Sequence, residues 1–439
     1  MAGAQSPSLD PIAHVPLSAT HANAQICQPN CLIPTAQRSS RAAFQYPNFR
    51  YLTTARFLSA ASSEMQAVAV GWQIFNLTHR PLDLGLVGLA QFAPGILLFL
   101  FTGHTADRVS RQRILLACYG GFSLCSLSLL WLTLHGLTSV WPIYAVLLGN
   151  GVVRAFLGPA SQAFLPLLVP EEHFPNAVAW DSSIFKTATI LGPVLGGVVY
   201  SVAGSPVPVY SAAAVAYLIG LALASMIRLR PVDRPRRAAS LAIVLEGLRY
   251  IWHNKLILGS ISLDLFAVLL GGAVALLPVY SSDILKTGAY GLGLLRSAPG
   301  AGAVLMAIAL AHFPLRRQVG ITMLACVFGF GVFTVVFGLS RNLWLSLFSL
   351  ALIGGFDMVS VFIRQTLVQL ATPDDMRGRV SAVNWIFIGA SNELGQFESG
   401  VTAQWFGTVP AVVLGGLGTI GIVLLWSWLF PALRRVDQL

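Results

Sequence analysis

The sequence predicts an all-α polytopic membrane protein of twelve transmembrane helices in two pseudo-symmetric six-helix halves. Three observations carry this. The 439-residue chain is 55% hydrophobic and only 10% charged, where a soluble protein carries about a quarter charged residues. Apolar stretches of about 20 residues or more recur along it, long enough as helices to cross a hydrocarbon core of roughly 30 Å. Backbone groups in lipid must be satisfied within their own segment, so these stretches read as helices. The chain also repeats itself. "QAFLPLLVPEEHFPNAVAW" at 162 aligns with "QTLVQLATPDDMRGRVSAV" at 365, an offset of 203 that runs on to Leu191-Gly192 against Leu394-Gly395. Ala93-Pro94-Gly95 matches Ala298-Pro299-Gly300 at an offset of 205. A period of half the chain is a duplication, and parallel halves with a site between them are a transporter plan.

Residues 1–47 are polar with scattered prolines, and are expected to form a disordered cytoplasmic tail. Cys27 and Cys31 lie there without a second pair to make a metal site. The N-terminal half is read over 48–229. Span one, 51–77, sets Arg56, Ser59, Ser63 and Gln66 on one helical face with Glu64 beside it. Span two, 84–105, ends at Gly103 and leads into "GHTADRVSRQR", where Asp107, Arg108, Arg111 and Arg113 crowd between apolar runs. Span three, 113–135, holds Cys118 and Cys125 as packing residues. Span four, 140–166, carries Arg154 near its middle. Span five, 176–203, carries Asp181 and Lys186, then "ATILGPVLGG". There Gly192, Gly196 and Gly197 make a flat face for close helix packing, and Pro193 removes a backbone hydrogen bond. Ordinary packing by small residues is the plainer reading of that stretch. Span six, 207–229, closes the half.

A cytoplasmic linker over 230–255 follows. Its second part reads as an amphipathic helix, with Ile243, Leu248 and Ile251 facing lipid or protein while Arg249 and Lys255 stay wet. The C-terminal half is read over 256–431. Span seven, 256–280, carries Asp264, and span eight, 288–311, carries the second Ala-Pro-Gly. Span nine, 319–340, holds Cys326. Span ten, 343–371, places Asp357 and Arg364 on one face. Span eleven, 379–404, places Asn384, Ser391 and Glu398 on one face with Glu393 nearby. Span twelve, 409–431, contains "GLGTIG", a literal G-x-G-x-x-G with no βαβ unit around it, so it reads as a helix-packing stripe. Residues 432–439 are a short cytoplasmic tail.

The net charge of +10 does not signal nucleic acid. The arginines sit in short loops between apolar spans. The even loops carry Arg108, Arg111 and Arg113, then Arg228 through Lys255, Arg316 and Arg317, and Arg377 and Arg379; the odd loops carry Arg80, Lys286 and Arg341. This bias puts the even loops and both termini in the cytoplasm. A charge at the bilayer centre costs roughly 2.5–3.5 kcal/mol. Any one of Glu64, Arg154, Asp181, Lys186, Asp264, Asp357, Arg364, Asn384, Glu393 and Glu398 can be a structural partner. As a set they point to a water-accessible cavity. Arg154 and Asp357 are matched at offset 203 and are the expected pair across the halves.

The loop pattern G-x-x-x-D-R-x-x-R-x-R at 103–113 resembles the signature between the second and third spans of the major facilitator superfamily. The resemblance implies a cytoplasmic latch between the halves. "RAFLG", 154–158, resembles that family's R-x-x-x-G motif, and 188–197 resembles the motif of its exporting, proton-antiporting branch, with Ala188 where glycine is usual. Residues 357–400 resemble the subfamily that includes bacterial siderophore exporters. The resemblance implies proton-coupled efflux of an amphipathic small molecule by alternating access, from a monomer, with substrate, protons and lipid as partners and no cofactor or metal. Two alternatives stay open: an importer or uniporter of a small polar solute, and a non-transporting sensor. H-E-x-x-H, G-x-S-x-G and a phosphate loop are absent from the sequence, so an enzyme is not expected.

Overall fold

A computed structural model describes residues 41–98, 102, 105, 109–162, 164–227, 241–313, 315 and 317–437. Among the described residues, twelve helices of 17 residues or more follow one another. They are α1 (Pro47–Thr78), α2 (Pro81–Leu97), α3 (Arg111–Leu134), α4 (Trp141–Gln162), α5 (Phe174–Ala203) and α6 (Val207–Ser225). After a linker helix (Leu241–His253) come α7 (Lys255–Gly271), α8 (Gly288–His312), α9 (Val319–Leu339), α10 (Leu343–Ala371), α11 (Asp374–Phe406) and α12 (Thr408–Leu429). Prolines at the first turns of α1, α2, α5 and α6 start helices where a missing N–H costs nothing. Gly204 and Gly407, both at positive φ, stop α5 and α11.

Nine of the described helical segments are long and apolar enough to span a bilayer. The three that fall short are α1, α2 and α11. Each contributes polar side chains to the cavity described below, and that polar face is what lowers the hydropathy of α1 and α11. Trp131, Trp141, Trp344 and Trp405 are exposed near helix ends on the odd-loop side, where indoles sit at a membrane interface.

The described residues begin at Arg41, inside the expected tail, and residues 1–40 lie outside them. Ala42–Gln45 form a 3₁₀ turn. Ala43 is buried and its N–H donates to Asn176 Oδ1 at 3.1 Å, while Phe44 packs edge-on against Trp180. Gly103, Asp107 and Arg108 of the expected latch lie outside the described residues, as do Cys27 and Cys31. Arg111 and Arg113 are described and open α3. Its start is tied to the end of α6, since Gln112 Nε2 donates to Ile227 O at 2.6 Å.

Helices α1–α6 pack chiefly among themselves, as do α7–α12. In the first set, two layers of one motif bind α1, α3 and α6. Gln66 donates to Ser126 and accepts from the Tyr217 hydroxyl; one heptad on, Gln73 donates to Thr133 and accepts from Tyr210. Buried amides with donor and acceptor both satisfied make this half a rigid unit. In the second set α7 breaks at Gly272 and continues through the turn Ala273–Leu276 toward Pro278. The carbonyl of Gly272 is satisfied by the Ser399 hydroxyl at 2.9 Å, as irregular backbone at membrane depth requires.

The two sets meet along α2 with α11 and α5 with α8. Glycines make both crossings. A Cβ at Gly400 would sit 2.8 Å from Gly85 Cα, and one at Gly197 would sit 2.6 Å from Ala289 O and 3.0 Å from Gly293 Cα. The offset of 203 carries Gly197 onto Gly400, and 205 carries Gly88 onto Gly293. The repeat is therefore a repeat of contacts: each half supplies one glycine-bearing helix to each crossing. Both crossings lie toward the odd-loop ends. Toward the even-loop ends, Phe185 and Lys186 of α5 are exposed.

Candidate functional site

A cavity of about 420 Å³ lies between the halves. Its wall is unusually polar for a membrane interior. The first half contributes Glu64 and Gln66 from α1, Gln91 from α2, and Asn150 and Arg154 from α4. The second contributes Arg296 from α8 and Asn392, Glu393 and Gln396 from α11. Val274, Ala275 and Pro278, from the broken continuation of α7, complete it. Helical spacing explains the selection on α11, because residues 388, 389, 392, 393 and 396 recur every three or four positions and share one face.

Four charges dominate this space, two of each sign. Arg296 Nε lies 3.4 Å from Glu64 Oε2, and Arg154 lies 3.7 Å from Glu393 Oε1. Both pairs cross from one half to the other. The contacts are long and each uses a single nitrogen, so both guanidinium groups keep spare N–H donors. Arg154 is the more open, with its side chain 61% exposed against 16% for Glu393. Gln396 Nε2 donates to Glu393 Oε2 at 3.1 Å and fixes that carboxylate.

The remaining charges are arranged differently. Arg364 of α10 and Asp264 of α7 pair at 2.7 Å, both almost fully buried, inside the second half. Asp357 lies beside them, lining the same small pocket as Asp264, while Lys186 of α5 is exposed. Arg56 and Asp181 pair at 2.7 Å inside the first half. The expected pairing of Arg154 with Asp357 is not what the fold makes: Arg154 reaches Glu393. Matched positions in the two halves follow the pseudo-symmetry, whereas a contact across the interface follows which faces meet. Asn384 is buried with its Oδ1 unpartnered, and Ser391 donates to the carbonyl of its own preceding turn. Glu398 accepts from Thr402 Oγ1 at 2.7 Å and is not in the cavity wall. One face of α11 thus holds Glu393 toward the cavity and another holds Glu398. Gly192 and Gly196 pack on α1, against Ala61 and Met65, while Gly197 and the Pro193 carbonyl meet α8.

Sequence reasoning missed Arg296. The signal was available, since the offset that aligns the two Ala-Pro-Gly stretches sets Arg296 opposite Gln91. Both line the cavity.

Known proteins resemble this chain along nearly all of it. The enterobactin exporter EntS of Shigella boydii serotype 4 is 29% identical over 381 residues, covering 85% of this chain and 86% of that protein. EntS of Citrobacter koseri is 28% identical over 401 residues, covering 90% and 94%. Among solved structures, the nucleoside transporter NupG superposes with a TM-score of 0.65 at 15% identity, covering 88% of this chain and 99% of that one. The D-xylose-proton symporter gives 0.66 at 13%, covering 90% and 100%. At those identities the structures show the fold alone. The family model described as transmembrane secretion effector matches residues 38–438. The chain is therefore a multi-pass membrane transporter of the major facilitator superfamily and belongs to its transmembrane secretion effector family.

Proposed function

We propose that this chain is a secondary active exporter that moves an amphipathic, hydrogen-bonding small molecule outward in exchange for protons, by alternating access of the central cavity. The observation that carries the reading is the balanced cluster of Glu64, Arg296, Arg154 and Glu393, in which each acid finds its arginine on the opposite half. Separating the halves at the glycine crossings would pull both pairs apart. A carboxylate left buried without its partner is costly and is neutralised by a proton. In the empty, deprotonated protein the pairs hold the halves together. Either a substrate that offers acceptors to the arginines and donors to the glutamates, or protons on the glutamates, replaces them. Two alternative releases of one lock are what antiport needs, because the locked form cannot cross empty.

Asp264 has a different place in this reading. Its partner Arg364 belongs to the same half and moves with it, so rocking leaves the pair intact. Asp357 lines the same pocket as Asp264 within the second half and is read with that pair. The basic loops assign the even-loop end to the cytoplasm, which puts the glycine crossings on the outer side. Efflux rests on the relatives named as exporters of enterobactin, and a catecholate siderophore is the substrate to test first.

The test is accumulation of a labelled catecholate siderophore in inverted vesicles, with an imposed pH gradient and then by exchange with unlabelled substrate. Glu64→Gln with Glu393→Gln should abolish gradient-driven accumulation and keep exchange. Full gradient-driven accumulation in that variant removes the cluster from coupling. A second reading, a uniporter of a small polar solute, draws on the amides of Gln66, Gln91, Asn150, Asn392 and Gln396 in the wall. It prevails if the unmodified protein equilibrates such a solute and the gradient drives no accumulation.

A further inference from the structure

A second concavity, unrelated to the transport cavity, lies at the even-loop end where α7 begins and α12 stops. It has a volume of about 570 Å³ and is walled by Leu429, Phe430, Pro431 and Val436, with Lys255 and Arg435 as its two cations. Both cations are exposed, and neither makes an ion pair among the described residues. The groove is anchored from behind, since Phe430 packs where Gly259 of α7 leaves room.

Three features say what fits it. The apolar wall runs into the outward face of α12, where Leu424, Leu425, Trp428 and Leu429 are exposed at helical spacing. That strip leads from the groove toward the bilayer centre. The two cations stand where spanning helices end, which is the level of lipid headgroups. The linker helix that leads into Lys255 turns Leu245, Leu248 and Trp252 outward, with Trp252 69% exposed and Arg249 and His253 alongside. Its opposite face is already taken, because Ile251 is buried with Val380 and Val383 of α11, and Glu246 pairs with Arg379 at 3.0 Å. An apolar ridge flanked by cations, left exposed among the described residues, suits a membrane surface rich in anionic lipid.

We propose that this groove binds an anionic phospholipid, its phosphodiester held by Lys255 and Arg435 and one acyl chain laid along α12. A zwitterionic headgroup fits less well, because it adds a cation of its own beside two that are unpaired. Soluble phosphate lacks the chain that would cover Leu425 and Leu429.

Native mass spectrometry of the full chain in detergent tests this with phosphatidylglycerol and phosphatidylcholine offered together. Phosphatidylglycerol should be retained about tenfold or more over phosphatidylcholine, as two cations at the headgroup level imply. Lys255→Gln with Arg435→Gln should bring the ratio near parity. Lys286→Gln, at the other end of the molecule, should leave it unchanged. Glycerol 3-phosphate at matched concentration should not displace the bound lipid. Equal retention of the two lipids, an unchanged ratio in the double variant, or displacement by glycerol 3-phosphate would each overturn the proposal. Thermal melting of the double variant shows whether it is folded; if it is not, Lys255→Gln alone carries the comparison, with a drop in the ratio expected and an unchanged ratio overturning the site.

Discussion

Asp264 and Glu393 are both acids paired with an arginine inside a spanning helix, yet their geometry assigns them different work. The Asp264–Arg364 pair is 2.7 Å long with side chains 8% and 2% exposed. Removing one partner of such a pair leaves the other buried and uncompensated, which costs about 3–5 kcal/mol. Asp264→Asn should therefore lower the melting temperature of the detergent-purified protein and its folded yield. Melting unchanged within a degree or so would mean Arg364 has other compensation. Glu393→Gln should melt like the unmodified protein, because Arg154 opens to the cavity and stays solvated. It should instead weaken gradient-driven transport. A Glu393→Gln variant that unfolds, or an Asp264→Asn variant that melts normally but loses gradient-driven transport, would show that the two roles are distributed otherwise.

At the scale of helices, the glycines of α5 divide into two jobs along one face of the sequence. Gly192 and Gly196 let α5 lie on α1 within the first half, where a Cβ at Gly196 would sit 2.8 Å from Met65 Cα. Gly197 serves the crossing to α8. Gly196→Leu should disturb the half itself, so both transport and thermal stability fall. Gly197→Leu should insert and fold but fail to close at the odd-loop end. Its signature is accessibility: a cysteine at Asn392, in a background without other reactive thiols, should label faster from the odd-loop side than in the parent. Equal labelling rates would mean the crossing tolerates a side chain and is not the seal. The linker helix is a third element with two distinct faces. Its inner face is spent on α11 through Gly247, which abuts the Arg379 carbonyl, and on the end of α10 through the Tyr250 hydroxyl, which donates to Ala371 O.

For the molecule as a whole, the proposed membrane orientation, with the even loops inside, rests on where the arginines fall between spans. Basic residues resist transfer across the bilayer, so loops dense in them stay inside. A cysteine at Ser110, at the start of α3, should label with an impermeant reagent only from the cytoplasm, and one at Thr138, between α3 and α4, only from outside. Labelling of both from one side would remove the crossing made by α3 and with it the alternation of the remaining helices. The proposed orientation would place the glycine crossings outward and the groove beside Lys255 inward, so this labelling test also bears on the lipid proposal.

The sequence by itself determined the succession of helices and the duplication, because those depend on local quantities: hydropathy over about 20 residues and an internal repeat. It also showed that charges such as Glu64, Arg154 and Glu393 need a polar interior, since an isolated charge in lipid is too costly to be incidental. Partnership was decided only by the tertiary structure. Arg154 belongs to Glu393 rather than to Asp357, Glu398 is left outside the cavity, and Arg296 completes the cluster. Helical spacing says which residues share a face, and a repeat says which positions correspond, but neither says how far each helix is rotated against its neighbour. That rotation is set by close packing, such as Gly85 on Gly400 and Gly197 on Gly293, where contact exists only once both halves are assembled.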